Sequence, residues 1–158
     1  MASWGDLERE APEFAARVSA SLDAHLHKTI ATLRRDGSPR ISGIECFCAE
    51  GELWTGSMPR AVKARDLQRD PRFALHSGTG DPEEWENDAK LSGRADEITD
   101  PEERARVFAS RGAEVPGESH LFRLDLHEVV ITGLNDARDK LVIELWKPGS
   151  GVRRTERA

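Results

Sequence analysis

The sequence predicts a mainly β, α+β domain: a closed or partly closed barrel of antiparallel strands with a few peripheral helices. Three observations predict it. Short runs suited to strands recur along the chain. Asp36-Gly37 and Glu50-Gly51 separate the first of them at hairpin spacing, and only three stretches have helical signals.

The first helix is read from Asp6 to Leu22, where Leu7, Ala11, Phe14, Val18 and Leu22 form one apolar stripe. Lys28 to Leu33 then reads as a strand. Asp36-Gly37 turns it into a second, from about Arg40 to Phe47, and Glu50-Gly51 into a third at Glu52 to Thr55, giving a three-strand meander. A basic helix follows, beginning near Pro59 and stopping before Asp70-Pro71, because the residue before proline avoids the α region. Phe73 to Ser77 is the fourth strand, Gly78 to Glu86 a polar loop, and Ala89 to Ile98 the fifth strand. Asp100-Pro101-Glu102-Glu103 places an N-cap Asp and a first-turn Pro at the head of a helix reaching about Ala109. A Gly/Pro loop, Gly112 to Gly117, leads to two last strands, Leu121 to Leu134 and Lys140 to Trp146. The chain ends in a tail, Lys147 to Arg157, with three arginines.

At 158 residues the chain suits a single domain able to bury roughly 70% of its unfolded surface. Its formal net charge of −6 argues against a general nucleic-acid binder. Arginines and lysines gather locally instead, most densely between Arg60 and Arg72, which suits a small anionic ligand. No run is long and apolar enough to span a bilayer, and no signal-peptide core opens the chain, so a soluble cytoplasmic protein without a membrane partner is expected. Cys46 and Cys48 are the only cysteines; two apart on one strand face, they read as small apolar fillers ahead of a redox pair. The five histidines form no metal-binding spacing.

Chemistry concentrates in the stretch Glu52 to Arg72, ELWTGSMPRAVKARDLQRDPR. A strand that breaks at Gly56-Ser57 into a helix N-terminus presents free backbone N–H groups and a positive dipole end. Arg60 and Lys63, three apart, are expected to share a face of the first helical turns. Amides, dipole and cations together suit a phosphate group, against the plain alternative of a solvated basic helix face.

Four features occur in one order: the DGSPRIS hairpin, the strand–Gly-Ser–basic helix ending in DPR, the strand NDAKLSGRA, and the terminal IELWKPGSGVRRTER. Over roughly residues 26 to 157 this ordered set resembles the pyridoxamine 5′-phosphate oxidase-like superfamily of flavin-binding split barrels. The resemblance implies an antiparallel six-stranded split β-barrel that works as a homodimer, with flavin mononucleotide (FMN) in a groove at the subunit interface. It divides the chain into an N-terminal helix packed on the barrel (1–25), an FMN-binding barrel (26–146) and a basic C-terminal tail (147–158). By the resemblance, Lys63 falls on the family's phosphate-binding lysine, with Arg60 supplying the charge lost where Val62 replaces an arginine. Ser42, Gly43 and Ile44 match positions along the flavin ring; Trp54, Thr55, Gly56 and Ser57 fall where the third strand meets ring and ribityl chain. Asp88 stands where a flavin-contacting glutamine is common, Trp146 matches the tryptophan before the tail, and Arg157 a flavin-side arginine.

The departures weigh against a vitamin B6 oxidase. Arg153 fits a substrate arginine of the tail, but Thr155 stands where the true oxidases have histidine. Glu45-Cys46-Phe47 replaces a second-strand lysine that binds substrate phosphate. No Arg-Pro and Ser motif occurs between Arg94 and Leu121. The expected function is therefore an FMN-dependent oxidoreductase acting on another small organic substrate, its chemistry carried by the cofactor. A deazaflavin-coenzyme reductase of actinobacterial type is the nearest alternative. A non-catalytic flavin- or haem-binding stress or storage barrel is the next, the haem version using His25, His27 or His76. A barrel that has lost its ligand, serving only as a dimeric interaction protein, is the last.

Overall fold

A computed structural model describes residues 1–112 and 117–158. Two helices, α1 (Trp4–Glu10) and α2 (Pro12–Asp23), precede β1 (Lys28–Leu33), β2 (Pro39–Ile44), β3 (Cys46–Ala49) and β4 (Glu52–Ser57). Next come α3 (Val62–Arg69), β5 (Arg72–His76), β6 (Asn87–Glu97) and α4 (Pro101–Ser110). The chain finishes with β7 (His120–Leu134), β8 (Leu141–Lys147) and β9 (Gly151–Arg157).

All the described strands belong to one sheet, and neighbours run antiparallel in the order β2-β1-β5-β6-β7-β4-β3. The two ends of that path are sequence neighbours. β2 and β3 meet at Glu45, so the chain itself joins the edges, and counting β2 with β3 gives the six strands of a split barrel. β7 is the spine. One side pairs with β6 along most of its length; the other takes β4 at its start and β8 toward its end. There the β8–β9 hairpin departs from the barrel.

Side-chain alternation explains the core. β1 and β5 send Ile30, Phe73 and Leu75 inward, β6 sends Ala89 and Leu91, and β7 sends Leu124, Leu126, Val129 and Ile131. α1 and α2 close one end with Leu7, Phe14, Val18 and Leu22, the predicted stripe. A smaller cluster of Trp54, Val107, Phe108 and Leu121 seats α4. Asp100 caps α4 as expected, its carboxylate accepting from the Glu103 N–H at 2.9 Å. Both predicted hairpins form. Gly37 takes φ 84° in the β1–β2 loop, and Glu50-Gly51 both take positive φ, 54° and 74°, as a two-residue type I′ turn requires.

Several expectations are corrected. The single helix over Asp6–Leu22 is two helices, because Pro12 starts a new one and Ala11 between them leaves helical geometry. The strand Arg40–Phe47 is interrupted at Glu45. β2 turns to pair with β1 and β3 with β4, so the meander is a barrel edge rather than three successive neighbours. The basic helix begins at Val62, not near Pro59. Met58-Pro59-Arg60-Ala61 is a turn closed by the Ala61 N–H on the Met58 carbonyl at 3.1 Å. Residues of the arginine tail form β9 on β8. Most of the Gly112–Gly117 loop lies outside the described residues. Among those described, no helix is long and apolar enough to cross a membrane.

Candidate functional site

Where β2 and β4 splay apart, the barrel leaves a cavity of about 490 Å³ between the Gly43–Glu45 edge, the Gly56–Pro59 segment and the C-terminal end of α4. Lys63 closes it on the α3 side, and Phe108, Arg111 and Ser119 on the other.

The floor is held by barrel hydrogen bonds. Gly56 and Ser57 pair with Leu121 and His120 of β7, and the fully buried Thr55 hydroxyl donates to the Glu45 carbonyl at 2.6 Å. That last bond ties the β2–β3 corner to β4. Gly43 faces open space, and a Cβ added there would meet no atom within 4 Å. Two buried hydroxyls in the wall, on Ser57 and Ser119, have no hydrogen-bond partner among the described residues. Buried polar groups are nearly always paired, so two orphans in one cavity wall mark places for a ligand's polar atoms.

Lys63, in the first turn of α3, donates to the Gly43 carbonyl at 2.9 Å, which pins its ammonium at the cavity mouth. Ala61 is the N-cap and offers no side-chain acceptor, so the first amides of α3 keep their positive end open. The helix is fixed from beneath by Asp66, almost fully buried, whose carboxylate accepts from Thr32 at 2.8 Å, Arg40 at 2.7 Å and Arg69 at 2.9 Å. Burial pushes this carboxyl upward, but hydrogen bonds from Arg40, Arg69 and Thr32 outweigh it and hold it below the ordinary range.

Arg60 is not on a helix face with Lys63. It occupies the third position of the Met58–Ala61 turn with φ 62°, a left-handed conformation usually left to glycine, and its side chain is exposed. Pro59 sets the turn by locking the position before it.

Of the positions singled out in the sequence, the cavity wall brings together Gly43, Ile44, Gly56, Ser57 and Lys63. Ser42 lies next to Gly43 on β2 and is not among the residues that line the cavity. Trp54 is buried in the α4 cluster with its indole N–H on the Ala49 carbonyl at 2.9 Å. Trp146 is equally buried, donating to Glu10 at 3.0 Å. Both tryptophans are core aromatics in this chain. Asp88 sits on β6, 3.5 Å from His76, and does not line the cavity. Arg153 and Arg157 are on exposed β9. Arg157 pairs with Leu141, and Leu141 with Leu134, fourteen residues along β7 from His120. At about 3.3 Å per residue that is on the order of 45 Å of strand. Cys46 is half-buried, and burial pushes its thiol up to about 11, so it carries no thiolate near neutral pH. His25 lies against Gly78, whose N–H donates to His76 Nδ1 at 3.1 Å. His27 lies 3.4 Å from Glu45, and no cluster of His, Cys, Asp or Glu suited to a metal occurs among the described residues.

Sequence reading missed Phe108, Arg111 and Ser119, and weighed His27 only as a haem ligand and Glu45 only as a departure from the family pattern. Arg111 donates to Glu45 at 2.6 Å and lies over the Phe47 ring, 5.0 Å from its centroid. No spacing rule marks residues that reach one cavity from an α4 terminus and a loop.

The model for pyridoxamine 5′-phosphate oxidase matches residues 14–133, most of the chain. The chain belongs to this family. Solved structures agree on the fold of this pyridoxamine 5′-phosphate oxidase family member at low identity. A pyridoxamine 5′-phosphate oxidase-related, FMN-binding protein from Nostoc punctiforme is 14% identical, with TM-score 0.65 over 96% of this chain and 97% of that one. PhzG from Burkholderia lata, solved with tetrahydrophenazine-1-carboxylic acid, is 14% identical with TM-score 0.68 over 94% and 92%. A conserved hypothetical protein of Mycobacterium tuberculosis is 22% identical with TM-score 0.61 over 72% and 81%. No curated protein matches significantly in sequence.

Proposed function

We propose that this family member binds FMN in the β2–β4–α3 cavity and uses it as an oxidoreductase toward a small organic substrate. The observation that carries the reading is the pair of orphaned hydroxyls, Ser57 and Ser119, in a wall that also holds Lys63 and the uncapped start of α3. The residues present fit the cofactor. Lys63 and the α3 amides would take the phosphate, and Ser57 and the bare backbone of Gly43 and Gly56 leave room and polar contacts for ribityl chain and ring. Bound there, FMN would supply reversible hydride or electron transfer. The protein's own part is to orient, through β2 and β4, and to keep water from the buried face.

The oxidoreductase is inferred to be a homodimer. The register sets Arg157 far along the strands from its own cavity, which supports a reading in which it reaches the flavin of a second copy.

Titration of the purified protein with FMN, followed by visible absorption, tests the reading. Lys63→Ala is expected to weaken binding about 10- to 100-fold, the range of one charge-assisted hydrogen bond. Ser57→Ala is expected to weaken FMN binding by up to about tenfold while leaving thermal stability nearly unchanged, because the deleted hydroxyl has no partner among the described residues. FMN affinity unmoved by Lys63→Ala would overturn the phosphate assignment. Binding of the deazaflavin coenzyme alone would keep the site and change the cofactor.

A further inference from the structure

One His–Glu pair stands directly behind the cavity wall and has no part in holding a phosphate. His120 opens β7, and its Nδ1 lies 2.6 Å from Glu97 Oε1. Glu97 Oε2 accepts from Gln68 of α3 at 2.7 Å, so both carboxylate oxygens are engaged. An ionised carboxylate only accepts, which puts the shared proton on Nδ1. Nε2 then faces away from Glu97 and makes no hydrogen bond among the described residues. The ring stacks on Phe122, with centroids 6.2 Å apart, and is mostly buried.

The ladders carry this pair to the cavity. Ser57 is the partner of His120, and Phe122, the next residue on that face of β7, is the partner of Glu97. Residues directly opposite share a face, with Cβ atoms about 4.5–5.5 Å apart. Ser57, His120 and Glu97 therefore form a row across β4, β7 and β6 on one face of the sheet. The row begins in the cavity wall, at a buried hydroxyl without a partner among the described residues, and ends at a fixed carboxylate. A hydroxyl can donate on one side while accepting on the other, so Ser57 can connect a ligand in the cavity with the imidazole behind it.

Resting on the flavin reading above, we infer that Glu97, His120 and Ser57 form a proton relay for the substrate. A substrate reduced by hydride gains two electrons and one proton, and the negative charge left on it takes one further proton. In the relay that proton leaves the Ser57 hydroxyl for the substrate atom, and the His120 imidazolium replaces it from Nε2. The ring ends neutral, Glu97 stays a carboxylate, and no electrons move in this step. Oxidation of a substrate runs the same transfer in reverse. Glu97 keeps the ring in one tautomer and orientation, and His120 acts through Ser57 without touching the substrate. From β6 the ring faces Glu97, while Gln68 of α3, Phe122 of β7 and Ser57 of β4 are neutral. A pH response of the relay therefore belongs to the His120–Glu97 pair.

His120→Asn tests this, because an asparagine amide retains a donor for Glu97 but offers nothing at the Nε2 position. Wild type and variant are saturated with FMN, photoreduced and mixed with 1,4-benzoquinone, and flavin reoxidation is followed by absorption. The variant rate is expected to fall about tenfold or more and to lose an ionisation present in the wild-type pH profile. Ring-nitrogen NMR gives a readout independent of turnover. Saturating FMN, or hydroquinone, should shift the His120 Nε2 resonance in wild type but not in Ser57→Ala. Glu97→Gln should convert the single Nδ1–H tautomer into a mixture. An unchanged rate and pH profile in His120→Asn would overturn the relay. So would an Nε2 resonance that ignores both ligands, an Nε2 shift that survives in Ser57→Ala, or a tautomer unmoved by Glu97→Gln. Should FMN fail to load, the flavin reading fails by itself, and the hydroquinone spectra of the cofactor-free protein decide on the relay by the same criteria.

Discussion

Gly93→Ala is expected to lower the unfolding free energy by about 3 kcal/mol, at the upper end of what overpacking costs. On β6, Gly93 sits where the ladder to β7 slips: Ser92 pairs with Glu128, but Gly93 pairs with Leu126, leaving His127 as the extra residue. The bulge brings the β7 backbone against Gly93. A Cβ there would lie 1.8 Å from the Asp125 carbonyl oxygen and 2.9 Å from its carbon. These are backbone atoms, so no rotamer change relieves the overlap. Either the bulge is lost, which shifts register along the longest ladder of the barrel, or β6 and β7 separate. For a chain of this length, 3 kcal/mol corresponds to a fall in melting temperature on the order of 10 °C, measurable by circular dichroism. A fall of less than 2 °C would mean that the β6–β7 backbones are not in this close approach.

The same residue shows what the sequence disclosed and what it did not. Gly93 inside a strand pattern signals a bulge or a close backbone approach, yet nothing local says which partner strand comes close. Elements written in one stretch of chain were legible: the Asp100 cap, the Glu50-Gly51 turn, the apolar stripe of the N-terminal helices. Lys63 was legible because helix start and cation lie within a few residues. Arg60 was misplaced because Pro59 serves a helix first turn and the second position of a β-turn equally well. Trp54 and Trp146 line up with a family pattern, but only packing reveals that both indoles are spent on core contacts, to Ala49 and Glu10. The Glu45–Arg111 pair spans sixty-six residues, and only the folded barrel brings its members together.

Asp66→Ala is expected to cost about 3 kcal/mol, the lower part of the range for breaking a buried charge pair, and to weaken FMN binding with it. Three donors converge on this carboxylate from three elements: Thr32 on β1, Arg40 on β2 and Arg69 on α3 itself. Removing it leaves two guanidinium groups facing one another with no anion between them, and it unties α3 from the β1–β2 hairpin. Because Lys63 rides on the first turn of that helix, the proposed anion seat is expected to loosen when the anchor goes. The charge also sets a pH limit. The folded carboxyl titrates below its ordinary value, so its contribution is full above the unfolded value near about 4 and is lost as pH falls through the folded one. Denaturant melts of wild type and Asp66→Ala should therefore differ most near neutrality and converge toward pH 3. A gap that stays constant down to that pH would show that the carboxylate's charge is not what holds α3. Arg40→Gln separates the two roles of the anchor. It keeps a donor to Asp66 and leaves Lys63 untouched, so it should recover most of the FMN affinity lost in Asp66→Ala while recovering less of the stability.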